Sequence, residues 1–199
     1  GATVKGVGFY QVNLTNATFT DASASGADFT GATLTQANFT HADLSGAQFL
    51  GADASGAADF TGATLTHANF TGATLKYADF SGAHLNQANF TGAILTHADF
   101  THADLSGAIL SGALLYGAIL SGAHLNGADL SGATLIDADL SGADLSGADL
   151  TNATLLGATN GHSANITGVT WKNTTCPDGS NSNSNSDKTC DKNLDPASY

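Results

Sequence analysis

The sequence predicts an all-β fold: a β-solenoid of four-sided coils, about eight of them, closed by a C-terminal cap. Three observations carry this expectation. A large apolar residue recurs at every fifth position, a period that is neither the 3.6 of a helix nor the 2 of a strand. Ala stands two positions before nearly every one of these centres, as in "ANFTGATLKYADF" at 68–80. Over the first half of the chain Phe alternates with a smaller centre, so the pattern itself repeats over every pair of units.

The centres run without a break from Val4 to Ala54, eleven in all. One extra residue enters within "SGAAD" (55–59), and twenty more centres follow from Phe60 to Leu155. Fixed-period repetition of this kind is the signature of a solenoid, in which each unit packs on its neighbours. One large and one small inward residue per unit describe a short extended side and a corner. Gly suits the corner, and the remaining Asp, Asn, Thr, Ser and His face water.

The ten Phe fix the number of sides. All occupy centres, and from Phe9 to Phe100 they fall on alternate units. A three-sided coil would set Phe above Leu. Four sides stack like on like, giving one ladder of Phe9, Phe29, Phe49, Phe70 and Phe90. The opposite ladder is Phe19, Phe39, Phe60, Phe80 and Phe100. Beyond Phe100 every centre to Leu155 is Leu.

The units "ADLSGADL" (143–150) and "ANFTGA" (68–73) resemble the pentapeptide repeat family, whose motif is often written A(D/N)LXX. The resemblance covers about residues 2–158. It implies a right-handed quadrilateral β-helix, and it agrees with the square coil read from Phe. At about 4.8 Å between stacked sides, just under eight coils make a rod of about 37 Å.

The rhythm fades after Leu155, so residues 1–158 read as the solenoid and 159–199 as a cap or tail. A solenoid end exposes apolar centres and unpaired edges. Degenerate units centred on Ile166 and Trp171 continue the core, with Trp171 covering the last coil. "SNSNSNS" (180–186) reads as a solvated loop. Cys176 and Cys190 enclose "PDGSNSNSNSDKT", which is not a zinc-binding spacing, and they read as a disulfide. That pairing points to an extracytoplasmic location, in a periplasm, a lumen or a secreted form, with two reduced cytoplasmic thiols as the alternative. Gly1 in place of an initiator Met fits a processed or trimmed product, which leaves a removed leader open.

Composition narrows function. The net charge is -12, all 17 acidic residues are Asp, and all five basic residues are Lys. Such a surface repels polyanions, which argues against direct nucleic-acid binding. No stretch is apolar and long enough to span a bilayer. Phosphate-loop, nucleophile-elbow and H-E-x-x-H motifs are absent, and a filled solenoid implies no cofactor and no enzyme. Lys172 and His162 in the tail read as solvated cap residues.

Stacking of one coil on the next generates surface columns, each open to two readings. His84, Asp104, His124 and Asp144 form one, either a surface metal site or imidazoles relieving carboxylate repulsion. Asp59, Asp79, Asp99, Ile119 and Asp139 form another. The resemblance implies a DNA-mimicking, gyrase-binding role for such acids, whereas the repeat motif alone accounts for Asp before each centre. Thr71, Thr91, Ser111, Ser131 and Thr151 mix two residue types, a weak basis for ice binding. The most individual feature is apolar: Ile94, Leu114, Tyr116, Ile136 and Leu156 share one face, with Ile109 and Ile119 on the faces beside it. A dimer or partner interface, burial under the tail, and tolerated scatter are its three readings. The leading expectation is a non-enzymatic structural or protein-interaction solenoid.

Overall fold

The computed structural model describes residues 1–159, 163–184 and 189–190. His162 and the end of the serine-asparagine run lie outside these residues. The chain winds into four-sided coils in which one residue per side pairs in parallel with the coil above. The four columns begin Thr3↔Ser23, Gly8↔Asp28, Asn13↔Thr33 and Thr18↔Asn38. That register slips by one at two places: across the extra residue, where Asn38 meets Asp59 and Asp53 meets Thr74, and after Thr159, where Asp144 meets Asn165.

Each unit makes the same bonds. Around Phe70, the Phe70 amide donates to Asn89 O at 2.7 Å, Gly72 N–H to Thr91 O at 3.0 Å, and Asn89 N–H to Ala68 O at 2.9 Å. The corner closes with Ala73 N–H to Phe70 O at 3.0 Å. These bonds satisfy the backbone groups that burial would otherwise strand. The second residue after nearly every centre turns through positive φ, which is why Gly dominates there; after Ala54 it is the third, Ala57. Gln, His, Asn, Asp and Tyr fill other corners, including Tyr77 (φ 60) and His97 (φ 55).

The residue before the centre has a local role that the repeat pattern alone does not reveal. Asp79 Oδ1 accepts the Ser81 amide at 2.8 Å and the Ser81 hydroxyl at 2.6 Å. Asn69 Oδ1 accepts the equivalent pair from Thr71 at 3.1 and 2.6 Å. The carboxylate or amide thus folds over its own corner. Asp or Asn before the centre and Ser or Thr after it are one hydrogen-bonded device.

Inside, Ala and the centres are fully buried from Ala22 to Leu155. Phe rings stack in parallel along each ladder, from 4.6 Å for Phe49–Phe70 to 5.0 Å for Phe80–Phe100. The two ladders meet edge to face, as at Phe60–Phe70 (5.8 Å, 88°). Both arrangements suit the ring quadrupole. Val4, Phe9, Leu14 and Phe19, in the first coil, are only partly buried because no coil lies beneath them.

At the other end parallel pairing continues through Asp144↔Asn165, Asp149↔Thr170 and Thr154↔Thr175. Ile166 packs against the core, Trp171 is 6% exposed, and Cys176 is fully buried. The chain then reverses, and Asn181 pairs antiparallel with Thr175 ahead of a short helical turn at Ser182–Ser184. Ser182 departs from the expected solvated loop, since it is fully buried. Its hydroxyl donates to Trp171 O and accepts the Thr174 amide. Thr174 Oγ1, also buried, donates to Leu150 O at 2.7 Å. A disulfide joins Cys176 to Cys190.

Candidate interaction face

Two of the four sides carry the columns singled out for their ionisable groups, and the chemistry of both is largely internal. His84, Asp104, His124 and Asp144 do stack in one column. Burial pushes the Asp104 carboxyl up, but hydrogen bonds from Ser106 and Asn86 and the nearby His124 hold it below the ordinary value. The Ser146 amide and hydroxyl, outweighing burial, do the same for Asp144, with help from Asn165 and His124. Among the described residues no group of three His, Cys, Asp or Glu side chains is placed to hold a metal ion.

Asp59, Asp79, Asp99, Ile119 and Asp139 also fall in one column. The Oδ1 atoms of Asp59, Asp79, Asp99 and Asp139 each accept from the Ser or Thr just past the centre of their own unit. In the Thr/Ser column, the hydroxyls of Thr71 and Thr91 donate to Asn69 and Asn89 of their own units. Lys172 is exposed.

The apolar side is different. Past Asp53, its column runs Thr74, Ile94, Leu114, Thr134 and Thr154, with no further acid. Leu114 (43%), Tyr116 (44%) and Leu156 (45%) are well exposed, whereas Ile94 and Ile136 are half-buried between their neighbours above and below. Ile109 and Ile119 are exposed on the adjoining sides, which widens the apolar band. Gly179 approaches the Leu156 side chain, yet Leu156 keeps its exposure.

Sequence reasoning missed the aromatic edge of this side. Tyr77, 57% exposed, lies nearly parallel over His97, with ring centroids 5.3 Å apart. Tyr116 meets His97 edge to face at 5.6 Å. The signal was present: Tyr77 and His97 are corner residues one coil apart, and Tyr116 precedes the next corner. Gly117 makes room for the ring, since a Cβ there would lie 2.5 Å from His97 Nδ1. The result is a mostly uncharged surface of Ile, Leu, Tyr and His.

Comparison with known proteins accounts for the scaffold. The profile described as Pentapeptide repeats matches in successive overlapping blocks from residue 2 to residue 170. The chain belongs to the pentapeptide repeat family. Its fold is the right-handed quadrilateral β-helix of that family. Among solved structures, the chain is similar to HetL, a pentapeptide repeat protein involved in heterocyst differentiation regulation in the cyanobacterium Nostoc sp. strain PCC 7120. The identity is 36% over 89% of this chain and 92% of HetL, with a TM-score of 0.44. A pentapeptide repeat protein from the Arabidopsis thaliana thylakoid lumen is 34% identical over 50% of this chain and 62% of its own, with a TM-score of 0.32. QnrB1, a plasmid-mediated fluoroquinolone resistance protein, is 25% identical over 85% of this chain and 89% of its own, with a TM-score of 0.36. No curated protein matches the chain by sequence. No helix among the described residues is long and apolar enough to cross a membrane.

Proposed function

We propose that this pentapeptide repeat protein is a non-catalytic scaffold that binds a protein partner through the Ile/Leu/Tyr side of its solenoid. The observation that carries the reading is the contrast between sides. Three sides present mainly polar groups tied into their own corners, with Ile109 and Ile119 as exceptions beside the fourth, which presents Leu114, Tyr116 and the Tyr77–His97 stack to solvent. Exposed apolar surface gathered on one rigid side usually marks an interface, and Tyr favours such sites. An interior filled by Ala, Leu and Phe offers no cavity in which to desolvate a reacting group, which supports a non-enzymatic role. The buried disulfide supports an oxidising, extracytoplasmic setting.

A photoreactive side chain at Tyr116, with Asn126 on the opposite side as control, tests this in cells of the source organism. Capture of a defined protein from position 116 and not from 126 supports the reading. No capture, or equal capture from both, removes it. A second reading rests on the net charge of -12 and the Asp column: an anionic mimic of nucleic acid that binds gyrase. Titration into a gyrase supercoiling assay separates the two, because an inert protein at micromolar concentration rules out the mimic.

A further inference from the structure

We infer that the partner of the Ile/Leu/Tyr side is a second copy of this chain, packed face to face with its solenoid axis antiparallel. The inference rests on the interface reading above and names its occupant. The argument is self-complementarity. Over rows 74–77 to 134–137, which the two-fold pairs with one another, this side carries two formal charges, Lys76 and Asp137, which cancel, while exposed Asp53 lies in the row beyond. Every other side of a chain with net charge -12 carries an Asp in its column over the same coils, so this is the side on which two copies repel least.

The order of residues fits a two-fold axis lying across the side between rows 94 and 114. In a two-fold contact the same patch serves both subunits and residues meet reciprocally. This axis sets Ile94 against the partner's Leu114, and Thr96 against the partner's Tyr116. His97 falls over the partner's row 114–117, where that chain's own His97 ring already lies against Gly117, so the two imidazoles come together near the axis. Rows 74 and 134 then face each other, bringing Lys76 beside the partner's Asp137, once at each end of the patch. Apolar side chains meet in the middle, and opposite charges meet at both ends of the patch.

Lys76 and Asp137 are both exposed, and neither has an ion-pair partner among the described residues. They lie three coils apart, about 14 Å at the usual strand spacing, so they cannot pair within one chain. A charge-reversal cycle therefore reads only contact between chains. Sedimentation equilibrium over a concentration series, on the full oxidised chain, is the measurement. The wild-type mass is expected to rise from 19.8 kDa toward twice that value. Lys76→Asp and Asp137→Lys should each weaken association by about tenfold or more, since each change acts at two symmetric places. The double variant Lys76→Asp/Asp137→Lys should return to within about threefold of wild type.

Circular dichroism of all four proteins checks that the solenoid is unchanged, as expected for exposed outward positions. A wild type that stays monomeric throughout overturns the two-copy assignment. Specific capture of a different protein from position 116 would then leave the interface reading standing, whereas no capture would remove both. A dimer indifferent to the single reversals, or not rescued by the double, places the contact elsewhere and equally overturns the inference.

Discussion

Phe49 and Phe70 stack 4.6 Å apart, although the segment between them is one residue longer than between any other neighbours in that ladder. The extra residue is absorbed at a corner, where Ala57 takes a positive φ of 58 and Ala58 returns to the buried position. Deleting Ala57 leaves "DASGADF", a regular unit with Gly56 at the corner. The deletion should fold normally and raise stability by about 1 kcal/mol, because Gly adopts that conformation without the cost borne by Ala. Deleting Ala93, which is buried in an unbroken stretch, should prevent folding. Thermal unfolding of both variants checks this, and equal damage from the two would contradict it.

The same ladder predicts a gradient of sensitivity. Phe70 is fully buried, stacked between Phe49 (4.6 Å) and Phe90 (4.8 Å), with Phe60 and Phe80 at its edges. Phe9 has only Phe29 above it and Phe19 at its edge, and is partly exposed. Phe70→Ala should cost about 3–5 kcal/mol, and Phe9→Ala well under half of that. Denaturant midpoints compare them. Similar losses would mean that the first coil is covered in solution.

These ladders were legible in the sequence because the core obeys one rule. Each residue lies beneath its counterpart four units on, so the alternation of Phe with smaller centres fixes four sides. The surface columns followed from the same rule. What escaped depends on contacts between unlike positions. The Tyr77–His97–Tyr116 cluster joins a corner column to the column beside it. Ser182 looked solvated because its run is polar, yet it is buried once Thr174 and Trp171 satisfy its hydroxyl. Asp before each centre looked like motif habit. Its physical reason is the corner it closes.

That reason makes Asp and Asn interchangeable at the position. Asp79 holds Ser81 as Asn69 holds Thr71, through one oxygen and the same two donors. Asp79→Asn should leave the denaturant midpoint nearly unchanged, while Asp79→Ala should cost about 1 kcal/mol by stranding the Ser81 amide and hydroxyl. If Asn destabilised as much as Ala, charge and not hydrogen bonding would be what the column supplies.

Acid should unfold the solenoid through particular carboxylates. The Thr30 hydroxyl and amide, against a smaller effect of burial, hold Asp28 below the ordinary 3.8. Asp104 and Asp144 are also lowered, Asp104 despite burial through Ser106, Asn86 and His124, and Asp144 chiefly through the Ser146 amide. A lowered folded value means that the ionised form is bound more tightly by the fold. Its contribution is present above the unfolded value and lost as pH falls through the folded one. Stability should therefore drop below about pH 4. The triple variant Asp28→Asn/Asp104→Asn/Asp144→Asn should lose part of that drop, and an identical acid limb would assign it to other groups.

The disulfide is placed to secure the end of the core rather than a free tail. Cys176 is itself a buried centre, its amide donates to Ser180 O at 2.7 Å, and the hairpin that follows buries Ser182 beneath Trp171. The bond to Cys190 closes a loop with a sequence separation of 14, for which chain entropy gives about 3 kcal/mol. Reduction, or Cys176→Ser/Cys190→Ser, should loosen this end first. Trp171 is the chain's one tryptophan and is 6% exposed, so its emission should shift to the red on reduction, at temperatures where far-ultraviolet dichroism still shows the coils intact. Simultaneous loss of both signals would show that cap and coils unfold as one unit, and an unchanged emission would show that the hairpin holds without its covalent tie.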